Sequence, residues 1–499
     1  MTIIKSISLM GLEGIIIDVE VDVSNGFPAW EIVGLPDTTV KESKERIKTA
    51  IKNSCSNLLS KKYIINLSPA NIKKEGSLLD LPIAIGILSE IGIIRKNRFI
   101  DYIIVGELSL NGNIRAVDGI LAICLEVKKK KFKGIIIPKE NEEEASLVCG
   151  LEIIAVSSIN ELINTLNKEI KKTKTRIDII NFKKENYEID FSDINGQEDA
   201  KKGLEIAAAG RHNSLMVGTP GSGKTMMAKA LPSILPRLTF EEILEVTKIY
   251  SIAGLLKKEN KIVSTRPFRA PHHTITQMAL IGGGKIPKMG EISLAHKGVL
   301  FLDELTEFKT GILELLREPI EEKKITISRA NISLTFPCDF MLVAAMNPCP
   351  CGYLGSKTRK CTCTKKQIET YRAKLSGPFL DRIDIFVEVN SNTYNTSKII
   401  ENSSQISERI MKAQIIQADR YKKEDINFNS ELNSKQLKRY CQINQKSKNI
   451  LEKLLSNNVI SIRSYFKIIK LARTIADLSN EEKISTEHIL EAIHYKNIR

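Results

Sequence analysis

Eight consecutive residues carry the clearest chemistry in this sequence: Gly218, Thr219, Pro220, Gly221, Ser222, Gly223, Lys224 and Thr225. They fill the phosphate-loop pattern G-x-x-x-x-G-K-[ST] at each fixed position. Gly218, Gly221 and Gly223 let backbone N–H groups turn inward around phosphate oxygens. Lys224 is placed to reach the β- and γ-phosphates, and the Thr225 hydroxyl to hold Mg²⁺. A second signature, Gly298 to Glu304, is an apolar run closed by two carboxylates. Asp303 would hold the Mg²⁺ of MgATP through water, and Glu304 would polarise the attacking water. An apolar run ending in Asp-Glu is weak alone. After a complete phosphate loop it is strong, and the chain reads as an ATP-hydrolysing enzyme.

The thiols suggest a different chemistry. Cys349, Cys351, Cys361 and Cys363 form a C-x-C…C-x-C pair of pairs. Four thiolates suit a structural Zn²⁺, although the usual gap within a pair is roughly two to four residues. Zinc and free thiols capping a loop both remain open. Cys55, Cys124, Cys149, Cys338 and Cys441 are isolated and read as buried filler. His272 and His273 are adjacent, but no third ligand is near in sequence, so structural roles are the expectation.

These groups need elements to hold them. Ser214 to Val217 reads as a buried strand entering the loop, and Met226 to Leu231 as a helix broken at Pro232. Phe340 to Met346 is a further strand with Asn347 at its tip. Two insertions surround the carboxylate strand. One is a glycine-rich loop from about 265 to 291 with Lys285 and Lys288. The other runs from Lys323 to Phe336, two β-like runs about a turn near Arg329, with Lys323 and Lys324 at its base. Lysine and arginine on such hairpins can touch nucleic-acid phosphates without reading bases, or serve a subunit contact. Beyond about residue 390 the pattern is helical, over Ile450 to Leu455 and Ile462 to Leu478.

Several of these segments resemble ATPases of the AAA+ superfamily. In that family a segment like Ile194-Asn195-Gly196-Gln197 lies along the adenine, and a polar strand tip like Asn347 orients the water against the catalytic glutamate. Ser376 to Asp384 resembles the segment that sends an arginine finger into a neighbouring subunit's ATP. Arg382 is the candidate finger, and a surface Arg382–Asp384 pair is the alternative. Ser461 to Ala476 is similar to the sensor-2 helix of the magnesium-chelatase branch, which makes Arg463 a γ-phosphate contact. Arg266 to Thr274, Ile281 to His296 and Asn347 to Gly352 together resemble the ComM (YifB) family of magnesium-chelatase-like ATPases. The resemblance covers essentially the whole chain. It implies an α/β protein with an N-terminal α+β Lon-protease-like (ribosomal S5-like) domain, a central AAA+ P-loop α/β domain and a C-terminal helical lid. It also implies a hexameric ring acting on single-stranded or branched DNA, a branch-migration helicase of natural transformation.

The expected domains are residues 1–166, a linker over 167–187, a core over 188–392 and a lid over 393–499. In the first of these, Asn66 to Asn71, Lys74 to Pro82 and Val105 to Gly112 resemble the Lon proteolytic domain. That family's serine falls at Leu78 here and its lysine near Ile123, while Ser77 sits one residue early. A Ser–Lys dyad needs both members within hydrogen-bond reach. The reading is a fold retained without its protease chemistry.

The chain has 499 residues and a net charge of +15, mostly lysine spread along its length, which supports a nucleic-acid partner only weakly. Nine cysteines, an odd count, and a start without an apolar leader point to a reducing cytoplasm. Leu78 to Ile94 is the most apolar run, but Asp80, Pro82 and Glu90 argue against a membrane span. Two rivals to the DNA motor remain at this level: a protein-remodelling or chelatase-type motor, and an ATP-dependent peptidase.

Overall fold

The computed structural model describes residues 1–55, 61–71, 74, 76–167, 187–257, 259–284, 287–329, 332–356, 359–389 and 401–496. The expected linker and the expected core–lid junction therefore lie almost wholly outside the described residues. The chain forms two compact units. One is Met1–Lys183 with Thr239–Ser264, the other Lys184–Leu238 with Thr265–Arg499.

In the first unit, alternating apolar residues make the strands Thr2–Met10 and Glu13–Ser24. They pair antiparallel, and a third strand, Lys62–Ser68, continues the antiparallel order before Ala29–Val33 adds parallel to its edge. Three short strands, Tyr102–Ile104, Gly134–Pro138 and Glu152–Val156, make a separate parallel sheet. The apolar run at Leu78 is explained by helix Asp80–Glu90, which is buried along nearly its whole length. It is a core helix, and no helix among the described residues is long and apolar enough to cross a membrane. Its buried Asp80 is paired by Arg46 at 3.0 Å.

Residues Thr239–Ser264, which fall inside the expected core 188–392, group with this first unit. Helix Phe240–Ile252 starts at a reciprocal cap between Thr239 and Glu242. At its far end the Ser251 carbonyl accepts from Gly119 N–H at 3.1 Å, and the Ser251 hydroxyl donates to buried Glu144.

The second unit is built on a five-stranded parallel sheet. We number its strands β1 (Ser214–Gly218), β2 (Phe268–Arg269), β3 (Val299–Leu302), β4 (Met341–Met346) and β5 (Ile385–Val389). The spatial order is β2-β3-β4-β1-β5. Continuous apolar sequence in β3 and β4 matches burial on both faces, as a helix-covered parallel sheet requires. Helices α1 (Glu198–Gly210), α2 (Lys224–Ala230), α3 (Lys365–Ala373) and α4 (Ile462–Leu478) matter most to the site. Because all five strands run the same way, the residues after β1, β3 and β4 emerge at one edge of the sheet.

Candidate nucleotide site

At that edge β1 runs into the phosphate loop. Gly221 and Gly223 have φ of +74° and +93°, and a Cβ on either would enter open space. They are glycines for their backbone shape. Gly218 is a glycine for another reason: a Cβ there would lie 2.3 Å from the Val389 carbonyl of β5. Close packing against β5 therefore excludes any side chain at this position of the loop. The buried Thr219 and Ser222 hydroxyls have no hydrogen-bond partner among the described residues. Together with the open glycines they suit a loop that takes an anion, and the donors fit ATP. Gln197, at φ +60°, brings its side-chain amide within 3.5 Å of the Ser222 carbonyl, so the segment before α1 touches the loop.

Lys224 is buried. Its ammonium donates to the Gly218 and Thr219 carbonyls at 2.7 and 2.9 Å and to Asn347 Oδ1 at 3.3 Å. Burial lowers its pKa from the usual lysine value, partly opposed by Asp303. A buried cation of this kind is stabilised by an arriving phosphate. Thr225 Oγ1 donates to Asp303 Oδ2 at 2.7 Å, so the two groups expected to hold Mg²⁺ adjoin. The other Asp303 oxygen accepts from the Glu304 N–H at 2.9 Å. Glu304 has φ +51°, a left-handed conformation that a non-glycine residue keeps only under constraint from its surroundings. Its carboxylate is exposed and lies 3.2 Å from His273 Nδ1.

His273 is the functional neighbour that sequence reasoning passed over. Strand β2 pairs parallel with β3, so the residues following Arg269 leave the sheet beside Asp303 and Glu304. Two histidines just past a strand adjacent to the carboxylate strand were the available signal. Tyr371 on α3 was also missed. Its hydroxyl accepts from Thr306 at 2.7 Å and from the Asn347 backbone N–H, joining the turn after Glu304 to the strand tip.

The two arginines stand together, apart from this group. Arg382 is nine-tenths buried and donates to the Pro378 carbonyl, with Glu321 at 2.9 Å. Arg463, at the start of α4, reaches the same Glu321 at 2.7 Å and Asp381 at 4.0 Å. The resemblance makes Arg463 a γ-phosphate contact from the lid. Within this chain the start of α4 sits over Glu321, and the structure pairs Arg463 with Arg382 across that one carboxylate. Asp384 is taken by Lys467 at 2.7 Å and by His212 at 3.6 Å, so no Arg382–Asp384 surface pair forms.

The second insertion is an antiparallel hairpin, Lys324–Arg329 against Ile332–Pro337. Lys324 and Arg329 are exposed. Lys323 is not a free phosphate contact. It closes the preceding helix at φ +55° and pairs with Glu431 and, at 3.6 Å, with Asp339. Lys288 is exposed on a small two-stranded ladder formed by Gly282–Gly283 and Lys288–Met289, and Lys285 lies outside the described residues. The insertions meet: a Cβ on Gly282 would lie 2.8 Å from Ile327.

All four clustered thiols come together, with their sulfurs within 4.8 Å of one another. In the first unit, the protease positions carry no dyad. Ile123 is fully buried, and Ser77 donates to Glu107 rather than meeting a lysine. Lys74 is buried and donates to the backbone carbonyls of Gly34, at 3.0 Å, and Pro69.

Comparison with known proteins agrees with this architecture. Residues 190–397 match the family described as magnesium chelatase, subunit ChlI; residues 19–141 match subunit ChlI of Mg-chelatase; and residues 400–496 match the ChlI C-terminal family. The chain is 42% identical over 507 residues to competence protein ComM of Haemophilus influenzae, covering 99% of this chain and 97% of that one. It is 40% identical over 503 residues to the YifB protein of Escherichia coli, covering 100% and 97%. The magnesium-chelatase 67 kDa subunit of Chlorobaculum parvum matches at 30% over 164 residues, 32% of this chain and 23% of that one. With a P-loop, an Asp-Glu strand and an Asn-tipped strand on one parallel sheet, and with likeness along its full length, the chain belongs to the ComM (YifB) family of magnesium-chelatase-like AAA+ proteins.

Proposed function

We propose that this protein is an ATP-hydrolysing ring motor that moves on DNA, a branch-migration helicase or translocase in DNA uptake and recombination. The observation that carries the reading is the split between the Lys224–Thr225–Asp303–Glu304–Asn347 group and the Arg382–Arg463 pair. Phosphate-transfer sites need cationic stabilisation of the transition state. Here the arginines rest on Glu321 of their own chain rather than beside Lys224. A second copy presenting its arginines to the first copy's ATP would complete the site, and repetition of that contact closes a ring. In this reading Lys224 binds the phosphates, Thr225 and Asp303 hold Mg²⁺, Asn347 orients the water and Glu304 polarises it. Lys324, Arg329 and Lys288 face the nucleic acid. The full-length likeness to a competence protein supports DNA as the cargo.

The deciding measurement is ATP turnover without DNA and with single-stranded, duplex and four-way-junction DNA, at several salt concentrations. Stimulation that fades as salt rises is the expected result. Turnover indifferent to all three DNAs would favour a protein-remodelling or chelatase-type motor instead.

A further inference from the structure

Between Asn347 and α3 the described residues of 348–364 form no helix or strand, and most of their side chains are half-buried or exposed. A loop of this length has little apolar burial to hold one shape. Yet it touches the nucleotide site in three places. Asn347, two residues before Cys349, accepts from Lys224 at 3.3 Å. Gly352, at φ +84°, lies so close to the phosphate loop that a Cβ would sit 2.7 Å from Pro220 Cγ and Cδ. At its far end α3 carries Tyr371, which ties Thr306 to the Asn347 backbone.

The thiols supply what the loop lacks. Cys349 Sγ is 3.4 Å from Cys351 Sγ and 3.7 Å from Cys361 Sγ, and the latter two are 3.5 Å apart. A disulfide needs about 2.05 Å. Four thiolates at about 2.3 Å from a tetrahedral zinc stand about 3.8 Å from one another. The sulfurs are therefore spaced for one ion at their centre, too tightly for a cluster of several irons. Backbone amides already face them: Leu354 N–H points to Cys349 at 3.3 Å, Cys351 N–H to Cys363 at 3.3 Å and Cys363 N–H to Cys361 at 3.4 Å. Such N–H···S contacts stabilise the charge of metal-bound thiolates.

We propose that Cys349, Cys351, Cys361 and Cys363 hold one zinc ion, and that this knot sets Asn347 and Pro220 for nucleotide, so that metal loss weakens ATP binding. The coupling rests on the nucleotide-site reading; the metal site does not.

The test uses the full-length protein. Metal content by mass spectrometry should give about one zinc per chain and a colourless protein. Cys361→Ser and Cys363→Ser should lose the zinc, while Cys149→Ser, at an exposed cysteine elsewhere, should keep it. Stripping wild-type zinc with a reversible mercurial and a chelator should weaken binding of a fluorescent ATP analogue about tenfold, and reloading zinc should restore it. That reversible arm decides the matter should a cysteine variant misfold. A chain that neither carries nor takes up zinc, or that shows iron–thiolate absorption, overturns the metal site. Unchanged affinity after stripping overturns the coupling. Zinc in a chain that binds no nucleotide overturns the nucleotide reading and the coupling with it, and leaves the metal site standing.

Discussion

His273 Nδ1 lies 3.2 Å from Glu304 Oε2, so the carboxylate best placed to polarise water is engaged by an imidazole from the end of the neighbouring strand. A carboxylate held this way has one oxygen committed to the imidazole until that partner moves. Glu304→Gln should bind ATP and hydrolyse it roughly a hundredfold or more slowly. His273→Ala should keep ATP binding and raise turnover without DNA several-fold, read by phosphate release. Unchanged or lower basal turnover would show that the pair does not restrain the carboxylate.

Glu321 joins Arg382 and Arg463, and this makes complementation the informative experiment. Arg382→Ala should retain ATP binding and lose turnover by about a thousandfold. A Lys224→Ala chain should fail as well. Mixing the two should restore activity, because some interfaces pair an intact Lys224 with an intact Arg382 from different copies. A mixture as inactive as its components would place Arg382 outside the neighbour's site.

The basic residues of the insertions should separate by salt dependence. Lys324→Ala, Arg329→Ala and Lys288→Ala should each lessen the slope of log affinity for DNA against log salt by about 0.7 to 0.9. Lys323→Ala should act on stability instead, since its ammonium is committed to Glu431 and Asp339. Equal slopes for all four variants would remove the hairpins from the DNA surface.

Asp339 supplies a pH test. Burial raises its pKa, but Arg211, Lys323 and Lys297 outweigh that and hold its carboxyl well below the usual range. A depressed folded pKa adds stability that is present above the unfolded value of about 3.9 and lost as pH falls through the folded value. Asp339→Asn should therefore be destabilised by about 2 kcal/mol at neutral pH, since it takes the carboxylate away from the half-buried Arg211 and Lys297. The gap in melting temperature to wild type should stay constant from about pH 7 to about pH 4 and narrow below that, as pH falls from the unfolded toward the folded value. A gap still constant below that point would mean that the charge of Asp339 is not what stabilises.

The catalytic edge was legible because it is local: the loop, the Asp-Glu pair and the Asn-tipped strand each sit in a short run whose pattern states both element and chemistry. The helix at Asp80 was legible only as an argument against a membrane span. Relations between distant segments were hidden. Nothing near Arg463 announces Glu321, and nothing near Pro220 announces Gly352, because each contact depends on how loops fold over the sheet. Gly218 was legible as part of the motif, but the contact with Val389 of β5 that also demands a glycine there was not. Lys323 likewise matched a basic hairpin in composition, while Glu431, far along the chain, takes its charge.

Residues Thr239–Ser264 lie within the first unit although both their flanks belong to the second. The polypeptide consequently passes between the units three times, at 183–184, 238–239 and 264–265. No single cut separates them. A fragment begun at residue 184 would carry helix Phe240–Ile252 stripped of the surface that buries Ile243, Val246 and Ile249, and would be prone to stick to itself. Neither unit is a continuous stretch of sequence, so neither can be expressed by itself by cutting the chain once.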